Sequence, residues 1–256
     1  SEVAAHASAQ DTLVMELSSF QLMGIIDFKP QIALITNIFS SHLDYHGSQE
    51  AYEAAKWRIQ ENLTSEQYLI LNFNQEKCRT LAEHTKAQVV PFATETKVDG
   101  AYLLEGKLYF RDEFIMEAVD LALPGEHNLE NALAAIAVAK LSGAKNEAIV
   151  EVLTSFSGVK HRLQYLGELA GRKVYNDSKA TNILATEKAL SGFENSRLWL
   201  LAGGLDRGNG FEELADSVTG IKGMVLFGET APKLQELADQ LQIPTLHSEN
   251  VATALK

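Results

Sequence analysis

The stretch IALITNIFSSHLDYHGSQEAYEAAKWRIQENLTSEQYLILNF, residues 32–73, holds two short apolar runs on either side of a helical pattern. The runs IALITN (32–37) and YLILNF (68–73) are rich in aliphatic residues and have the length of buried strands. Between them, QEAYEAAKWRIQENL (49–63) has the apolar spacing of an amphipathic helix. A strand, a helix and a strand in this order predict a βαβ unit in a parallel sheet, and therefore an α/β fold.

The same alternation extends along the first half of the chain in both directions. Upstream, TLVMEL (12–17) predicts another strand, and residues 3–9 before it predict the end of a helix. Downstream, AYLLEGKLYF (101–110) predicts a hairpin that turns at EGK. The Ala-rich stretch NLENALAAIAVAKLS (128–142) is apolar around most of its circumference and predicts a buried helix.

A second alternating set follows a break at the turn residues Ser157 and Gly158. Its predicted strands are RKVYND (172–177), RLWLLAGG (197–204) and GMVLFG (223–228), each followed by a helical pattern. The sequence therefore predicts two domains, residues 1–160 and residues 161–256.

The composition excludes several classes of protein. The net charge of −12 argues against a nucleic-acid-binding protein or one that binds an anionic membrane surface. Cys78 is the single cysteine, so there is no internal disulfide, and a reducing cytoplasm is the expected location. No apolar run reaches the ~18 residues that predict a membrane-spanning helix. The oligomeric state stays open, with a monomer as the working expectation.

Polar residues follow the predicted strands, at the place where open parallel sheets bind their ligands. Four runs end in groups able to bind phosphate, metal or carboxylate: Glu16, Ser18 and Ser19; Asn37, His42, Asp44 and His46; Asp177, Ser178 and Lys179; and Gly203, Gly204, Asp206 and Arg207. The alternative is that these residues are polar because loops are exposed. For any one strand both explanations stay open, whereas four such ends in one chain favour a binding site without naming a reaction.

Glu16 is a candidate metal ligand, because Mg²⁺ is usually held by one or two carboxylates together with substrate phosphates. The two serines that follow it, Ser18 and Ser19, have an alternative role as the N-cap of a helix. The sequence does not decide between these interpretations.

Lys56 lies among small residues in AYEAAKWRI, so its side chain could lie on a closely packed helix face. A buried lysine loses its charge readily, and a neutral amine can react with carbon dioxide to form a carbamate, which would act as a carboxylate-like ligand. The alternative, which the residues alone favour, is a solvated surface lysine.

Asn128 and Asn131 stand at the start of the predicted buried helix, three residues apart and therefore on one face. Helix N-termini attract anions, which makes this pair a candidate phosphate or nucleotide site. The alternative is that Asn128 is the N-cap of the helix.

Seven motifs follow one another along this chain: ELSSFQL (16–22), HLDYHG (42–47), AAKWRI (54–59), PGEHNLENALAA (124–135), HRLQ (161–164), NDSKATN (176–182) and LAGGLDRG (201–208). Taken in this order, they resemble the motifs of the Mur ligases, the ATP-dependent amide ligases of peptidoglycan precursor synthesis. The first and sixth of them resemble the branch of the family that adds D-glutamate to UDP-N-acetylmuramoyl-L-alanine.

The resemblance implies a role for each matching residue. Residues of the ATP site would be Asn128, which lies near the adenine in the family, Asn131, Arg162 and Asp177. The magnesium ligands would be Glu16, His42 and Lys56, the last of them carbamylated, and the catalytic residues Lys179, Lys56 and His42. The remaining substrate contacts would come from Ser18, Thr181, Lys179 and Arg207. The chemistry implied is formation of an acyl phosphate from ATP, followed by attack of the amine of D-glutamate.

The resemblance also implies a central ATPase-type parallel-sheet domain followed by a Rossmann-like domain, both incomplete. The sequence contains no G-x-x-x-x-G-K-[ST] phosphate loop, which in the family precedes the segment at which this chain starts. The chain begins and ends within helical patterns, which predicts a truncation at both ends. We therefore expect the 256 residues alone to have little or no ligase activity, because phosphoryl transfer depends on such positioning groups.

Two other classes of function remain as alternatives. A non-catalytic binding module would keep the sites without the phosphate loop, although binding alone does not require Glu16, Lys56, Asp177 and Lys179 as a set. Another amide ligase of the superfamily, such as a folate polyglutamylating enzyme, is disfavoured by ELSSFQL. A scaffold protein gives no account of charged groups at several strand ends.

Overall fold

The computed structural model describes residues 6–8, 10–39, 43–123, 125–206, 208 and 210–255, with residues 43 and 44 as backbone only. Its contacts divide the chain into two compact units, Ser1–Phe156 and Ser157–Lys256. This division does not test the predicted domain boundary at residue 160, which stays a prediction. In the part of the chain that the structure describes, no helix is both long and apolar enough to cross a lipid bilayer.

The N-terminal unit is built on a six-stranded sheet in the order β1 to β6. The strands are β1 (Ile32–Ile35), β2 (Tyr68–Asn72), β3 (Gln88–Ala93), β4 (Ala101–Leu104), β5 (Lys107–Phe110) and β6 (Glu113–Glu117). Strands β1 to β4 are parallel to one another, whereas β5 pairs antiparallel with both β4 and β6. The predicted α/β fold and the strands of the opening stretch are therefore confirmed.

The helices with described bounds in this unit are α1 (Ser19–Met23), α2 (Leu43–His46), α3 (Gln49–Trp57), α4 (Glu76–Ala82), α5 (Glu126–Leu141) and α6 (Asn146–Ser155). The predicted helix 49–63 is shorter as an α-helix and continues as a 3-10 turn, Arg58–Gln60. Helix α5 packs on β2 to β5 and buries its central alanines, Leu133 and Ile136 against the sheet. The small alanine side chains allow α5 to lie close to the sheet. Helix α5 and the sheet together form the main hydrophobic core of the unit.

The hairpin predicted over residues 101–110 is confirmed. Glu105 and Gly106 both have positive φ, at 50° and 75°, as a two-residue turn of type I′ requires. The turn brings Leu104 opposite Lys107 in an antiparallel register.

The strand predicted over residues 12–17 is wrong, because the structure places no regular secondary structure there. Leu13, Val14 and Met15 are instead 47%, 90% and 59% exposed. No strand among the described residues pairs with this segment, and an extended segment is held as a strand only by hydrogen bonds from a neighbour. The helix predicted over residues 3–9 falls mostly outside the described residues.

The C-terminal unit contains a three-stranded parallel sheet in the order β11-β10-β9. Its strands are β9 (Trp199–Gly204), β10 (Gly223–Gly228) and β11 (Thr245–His247), and its helices are α7 (Ile183–Leu190), α8 (Ala215–Val218), α9 (Ala231–Gln240) and α10 (Val251–Ala254). Helix α9 packs on this sheet and buries Leu234 and Leu237. Two of the predicted strands, 197–204 and 223–228, are therefore confirmed.

The third predicted strand of the second set does not belong to the parallel sheet. Strand β8 (Arg172–Asn176) pairs antiparallel with β7 (Gln164–Leu169) in a separate two-stranded sheet. Ala170 and Gly171, both with positive φ, form the tight turn between them. A central parallel strand is buried on both faces, whereas β8 is largely exposed, as an arm of a two-stranded hairpin can be.

Candidate functional site

The carboxyl ends of β1, β2 and β3 carry a network of polar side chains that the sequence analysis missed. The Asn72 amide nitrogen donates to the Thr36 carbonyl oxygen (3.0 Å) and to Glu130 Oε2 (3.2 Å). The Asn74 amide nitrogen donates to Thr94 Oγ1 (2.7 Å) and to Glu130 Oε1 (2.7 Å). The signal available in the sequence was the NFN at 72–74, where two asparagines end a strand.

Asn128 and Asn131 flank Glu130 in the first turns of α5. Asn131 is exposed and Asn128 is partly buried. The cap position is Gly125, with φ of 107°, so the alternative role of Asn128 as the N-cap is wrong. The pair therefore keeps the placement that the nucleotide hypothesis needs, at the N-terminus of a helix beyond the carboxyl ends of parallel strands.

Ser18 is the N-cap of α1, as the alternative interpretation of this serine predicted. Its Oγ accepts from the Gln21 backbone N–H (3.3 Å), and Gln21 Oε1 accepts from the Ser18 backbone N–H (2.8 Å), which completes a capping box. The neighbouring Ser19 is buried, with its Oγ 3.0 Å from His46 Nε2. The Ser18 side chain is exposed, and its capping role fixes the end of the segment that carries Glu16.

Lys56 is partly buried on α3, next to two buried residues of the same helix, Tyr52 and Ala55. Burial lowers the pKa of Lys56, while the negative charge of Glu16 opposes that shift. The Lys56 nitrogen also lies 5.9 Å from the centroid of the Tyr52 ring. The charge of Glu16 therefore acts on Lys56, and partial burial of the lysine makes its charged form less favourable than in water.

Of the residues proposed to bind magnesium, the structure describes Glu16 and Lys56. His42 and Arg207 lie outside the described residues. Among the residues that are described, no group of three or more His, Cys, Asp or Glu side chains is arranged to hold a metal ion. Glu16 is exposed beside Lys56, and one carboxylate with substrate phosphates fits the usual donor set of Mg²⁺.

In the C-terminal unit, the segments around residues 161–164 and 176–182 are tied together. Asp177 Oδ1 accepts from the Leu163 backbone N–H (2.9 Å), and the Lys179 backbone N–H donates to the His161 carbonyl (3.0 Å). The structure therefore brings Arg162 into the same loop cluster as Asp177 and Lys179.

The backbone of this cluster is held in an unfavourable conformation. His161 and Leu163 have φ of 67° and 43°, in the left-handed region that side chains other than glycine rarely adopt. The hydrogen bond from Leu163 to Asp177 helps to hold it. Arg162, between the two strained residues, is exposed, as are Lys179 and Thr181. Stored strain of this kind is concentrated at functional sites in proteins.

The loop after β9 is fixed by an ion pair. Lys233, in the first turn of α9, lies 2.9 Å from Asp206 Oδ2, and Asp206 Oδ1 accepts from the Gly208 backbone N–H (2.9 Å). The hydrogen bond from Lys233 and its positive charge hold the pKa of the Asp206 carboxyl below its usual range.

Comparison with known proteins gives matches over nearly the whole chain. Residues 2–139 match the model of the Mur ligase middle domain, and residues 161–256 match that of the Mur ligase glutamate ligase domain. The UDP-N-acetylmuramoylalanine–D-glutamate ligase of Lactococcus lactis subsp. cremoris (strain MG1363) is 75% identical over 256 residues, which are 100% of this chain and 57% of that protein. The ligase of the same name from Enterococcus faecalis is 62% identical, again over 100% of this chain, and 56% of it is covered. This chain therefore spans little more than half the length of these relatives.

Solved structures at lower identity support the fold alone. MurF from Acinetobacter baumannii aligns with a TM-score of 0.66 and 22% identity, over 88% of this chain and 52% of that one. MurC from Thermotoga maritima aligns with a TM-score of 0.65 and 20% identity, over 91% and 53%. MurF from Thermotoga maritima, determined in complex with ADP, has a TM-score of 0.59 and 16% identity over 88% and 60%. With a middle-domain match that covers more than half of its residues, this chain belongs to the Mur ligase family.

Proposed function

We propose that this chain is the greater part of an ATP-dependent ligase that joins D-glutamate to UDP-N-acetylmuramoyl-L-alanine in peptidoglycan synthesis. The observation that carries the proposal is the 75% identity, over all 256 residues, to a ligase of that name. The 22% identity to MurF, in contrast, supports only a common fold.

The reaction is an activation followed by a substitution. An oxygen of the terminal carboxylate of UDP-N-acetylmuramoyl-L-alanine attacks the γ-phosphorus of ATP, and the bond to ADP breaks. The amine of D-glutamate then attacks the acyl carbon, and inorganic phosphate leaves as the amide forms and the amine releases a proton. Such phosphoryl transfer relies on positioning and charge neutralisation.

In this proposal Asn128, Asn131, Arg162 and Asp177 hold ATP. Asn131 is exposed in the second turn of α5, and Asn128 lies in the first turn, where the helix dipole favours an anion. The proposed roles of Arg162 and Asp177 are supported by their position in the loop cluster with strained backbone. Because the Asp177 carboxylate accepts a backbone hydrogen bond, its direction is fixed before any ligand arrives.

The substrate side of the proposal assigns Lys179, Thr181, Ser18 and Arg207. Lys179 supplies positive charge to the transferring phosphate, and Thr181 and Arg207 bind the D-glutamate. Lys179 and Thr181 are both exposed, so neither is committed to the core. A monomeric protein of the cytoplasm, without nucleic-acid or membrane partners, completes the proposal.

Glu16, His42 and Lys56 would hold magnesium, which when bound neutralises phosphate charge. The lowered pKa of Lys56 supports carbamylation, because only the neutral amine adds to carbon dioxide, releasing one proton. Mass spectrometry of the intact chain in bicarbonate should show the added mass of one carbon dioxide, and Lys56→Met should abolish it. An unmodified lysine in bicarbonate would contradict this part of the proposal.

The test grafts this chain in place of the matching segment of the Lactococcus lactis ligase and measures phosphate release from ATP and Mg²⁺. UDP-N-acetylmuramoyl-L-alanine is present throughout, with D-glutamate, L-glutamate or no amino acid. Release that depends on D-glutamate is expected from the graft, with little or none from the 256 residues alone. Lys179→Met should abolish release, whereas the matched Lys173→Met, on the exposed hairpin, should not. A folded graft without D-glutamate-dependent release would overturn the proposal in favour of a binding module.

A further inference from the structure

Glu130 is a carboxylate with two amide donors, one on each oxygen. Asn72 Nδ2 lies 3.2 Å from Oε2, and Asn74 Nδ2 lies 2.7 Å from Oε1. Both asparagines stand at the carboxyl end of β2, whereas Glu130 stands on α5. The side chain therefore joins the helix to the edge of the sheet by two charge-assisted hydrogen bonds.

The network extends from Glu130 to the neighbouring strands. Asn72, which is only 1% exposed, also reaches the carbonyl of Thr36 after β1. Asn74 exchanges two hydrogen bonds with Thr94 after β3, through its amide nitrogen (2.7 Å) and its Oδ1, which accepts from the Thr94 backbone N–H (3.0 Å). Three consecutive strand ends are thus connected to one carboxylate.

The position of Glu130 along α5 determines what this connection does. Asn128 and Asn131, three residues apart, share one helix face, and Glu130 lies about 100° from Asn131 around the axis. The two hydrogen bonds of Glu130 oppose rotation of the first turns of α5 about the helix axis, in addition to the packing of the buried Ala132 and Leu133. The exposed Asn131 lies in these same turns.

We propose that Glu130 is a positioning residue for nucleotide binding, which anchors the first turns of α5 to the ends of β1, β2 and β3 and so directs Asn128 and Asn131. This inference rests on the proposed function, in which those two asparagines hold ATP. Glu130 itself is engaged with Asn72 and Asn74 and acts through its neighbours on the helix.

The arrangement of donors and acceptors in the network allows one substitution that disrupts it and a second that restores it. Glu130→Gln keeps the shape but turns one oxygen into an amide nitrogen, which then faces the donor of Asn72 or Asn74. Adding Asn74→Asp restores complementarity, because the carboxylate introduced at position 74 accepts from the amide introduced at position 130 and from the Thr94 hydroxyl, and keeps the bond to the Thr94 N–H. Glu151→Gln, the same chemical change at an exposed position of α6, is the matched control.

The test uses the grafted ligase and measures the affinity for a fluorescent ATP analogue, KM for ATP, KM for D-glutamate and kcat. Glu130→Gln should weaken nucleotide binding and raise KM for ATP about tenfold, the loss of one well-aligned hydrogen bond, while KM for D-glutamate and kcat stay nearly unchanged. The double variant should recover most of the affinity, and Glu151→Gln should match the parent. Hydrogen exchange should be faster at residues 126–131 in Glu130→Gln and return to the parent rate in the double variant.

The outcomes separate this inference from the proposed function. Unchanged nucleotide affinity in Glu130→Gln, or a folded double variant with no recovery, overturns the inference alone. A parent graft that binds nucleotide but lacks D-glutamate-dependent turnover overturns the proposed reaction, and the affinity comparison still decides the role of Glu130. A folded parent graft that binds no nucleotide overturns both.

Discussion

The carboxyl ends of the parallel strands are held in place by different means in the two units. In the N-terminal unit, buried and partly buried side chains at the ends of β1, β2 and β3 form one network with Glu130. In the C-terminal unit, the end of β9 is held by backbone packing, since a Cβ at Gly203 would overlap the carbonyl of Phe227. Beyond that strand, the ion pair between Asp206 and Lys233 is solvent-accessible.

The difference teaches which changes each unit tolerates. A buried polar network is costly to interrupt, because each unsatisfied group keeps its desolvation penalty. Where a glycine lies close to another backbone, a change of charge nearby has little effect, whereas a Cβ atom on the glycine causes a steric clash. An exposed ion pair orders a loop and contributes little to the free energy of unfolding. These three consequences can be measured separately.

The largest effect is expected from Gly203→Ala, which tests the backbone contact. The new Cβ would overlap the Phe227 carbonyl oxygen and lie within 2.8 Å of its ring, so β9 and β10 must separate. We expect the free energy of unfolding of the C-terminal unit to fall by about 3 kcal/mol or more. Urea unfolding followed by the fluorescence of Trp199, with Trp57 replaced by phenylalanine, measures it.

The control for that prediction is Gly208→Ala. A Cβ at Gly208 would meet nothing within 4 Å, and only its φ of 85° opposes a side chain. The expected loss is about 1 kcal/mol, the cost of a left-handed residue. Equal losses at the two glycines would show that the contact between β9 and β10 has no special importance.

The second effect, in the N-terminal unit, is expected from Asn72→Ala. The substitution removes the donor to the partly buried oxygens of Thr36 and Glu130, and also the Asn72 Oδ1 that accepts from the Asn74 backbone N–H (3.0 Å). We expect a loss of about 2 kcal/mol. Asn37→Ala is the matched control, because Asn37 is exposed and makes one long hydrogen bond of 3.4 Å.

Cys78 provides a readout for this prediction. Its side chain is fully buried, and burial raises the pKa of the thiol to about 11, so a thiol reagent at neutral pH reacts only after the unit opens. Labelling should be faster in Asn72→Ala than in Asn37→Ala. Equal labelling rates would mean that the network does not stabilise the unit.

Much of the fold was predictable, because short apolar runs and helical spacing record burial directly. The opening βαβ unit and the hairpin at Glu105 and Gly106 are of this kind. The errors came where pairing decides the structure. Residues 12–17 have the composition of a strand but no partner among the described residues, and β8 has the composition of either a parallel strand or a hairpin arm. The amino-acid composition of a segment does not determine which strand it pairs with.

The candidate site was predictable where a motif carried the chemistry and not where packing did. The motifs located Asn128, Asn131, Asp177 and Lys179, whose roles stay predictions. They did not reveal Glu130, because a glutamate in the first turns of a helix usually indicates only a favourable contact with the helix dipole. Its two amide partners are more than 50 residues away in sequence. The same holds for Lys233, whose partner Asp206 precedes it by 27 residues.

The smallest effect concerns the ion pair, and its sign depends on pH. The pKa of Asp206 is lowered first by the hydrogen bond from Lys233 and then by that of the Gly208 N–H. A lowered pKa in the folded state means that the stabilisation is present at neutral pH and is lost as pH falls through the folded pKa. Lys233→Met should therefore slightly lower the free energy of unfolding at neutral pH, and the difference from the parent should vanish in acid.

Two conditions sharpen this last measurement. Because both partners are solvent-accessible, added salt should shrink the effect of Lys233→Met at neutral pH. The matched control is Lys222→Met, an exposed lysine of the same unit, which should show neither the pH dependence nor the salt dependence. A difference that persists in acid and in salt would mean that Lys233 stabilises the unit through the packing of its aliphatic chain, and the loop after β9 would then depend on packing as β9 itself does.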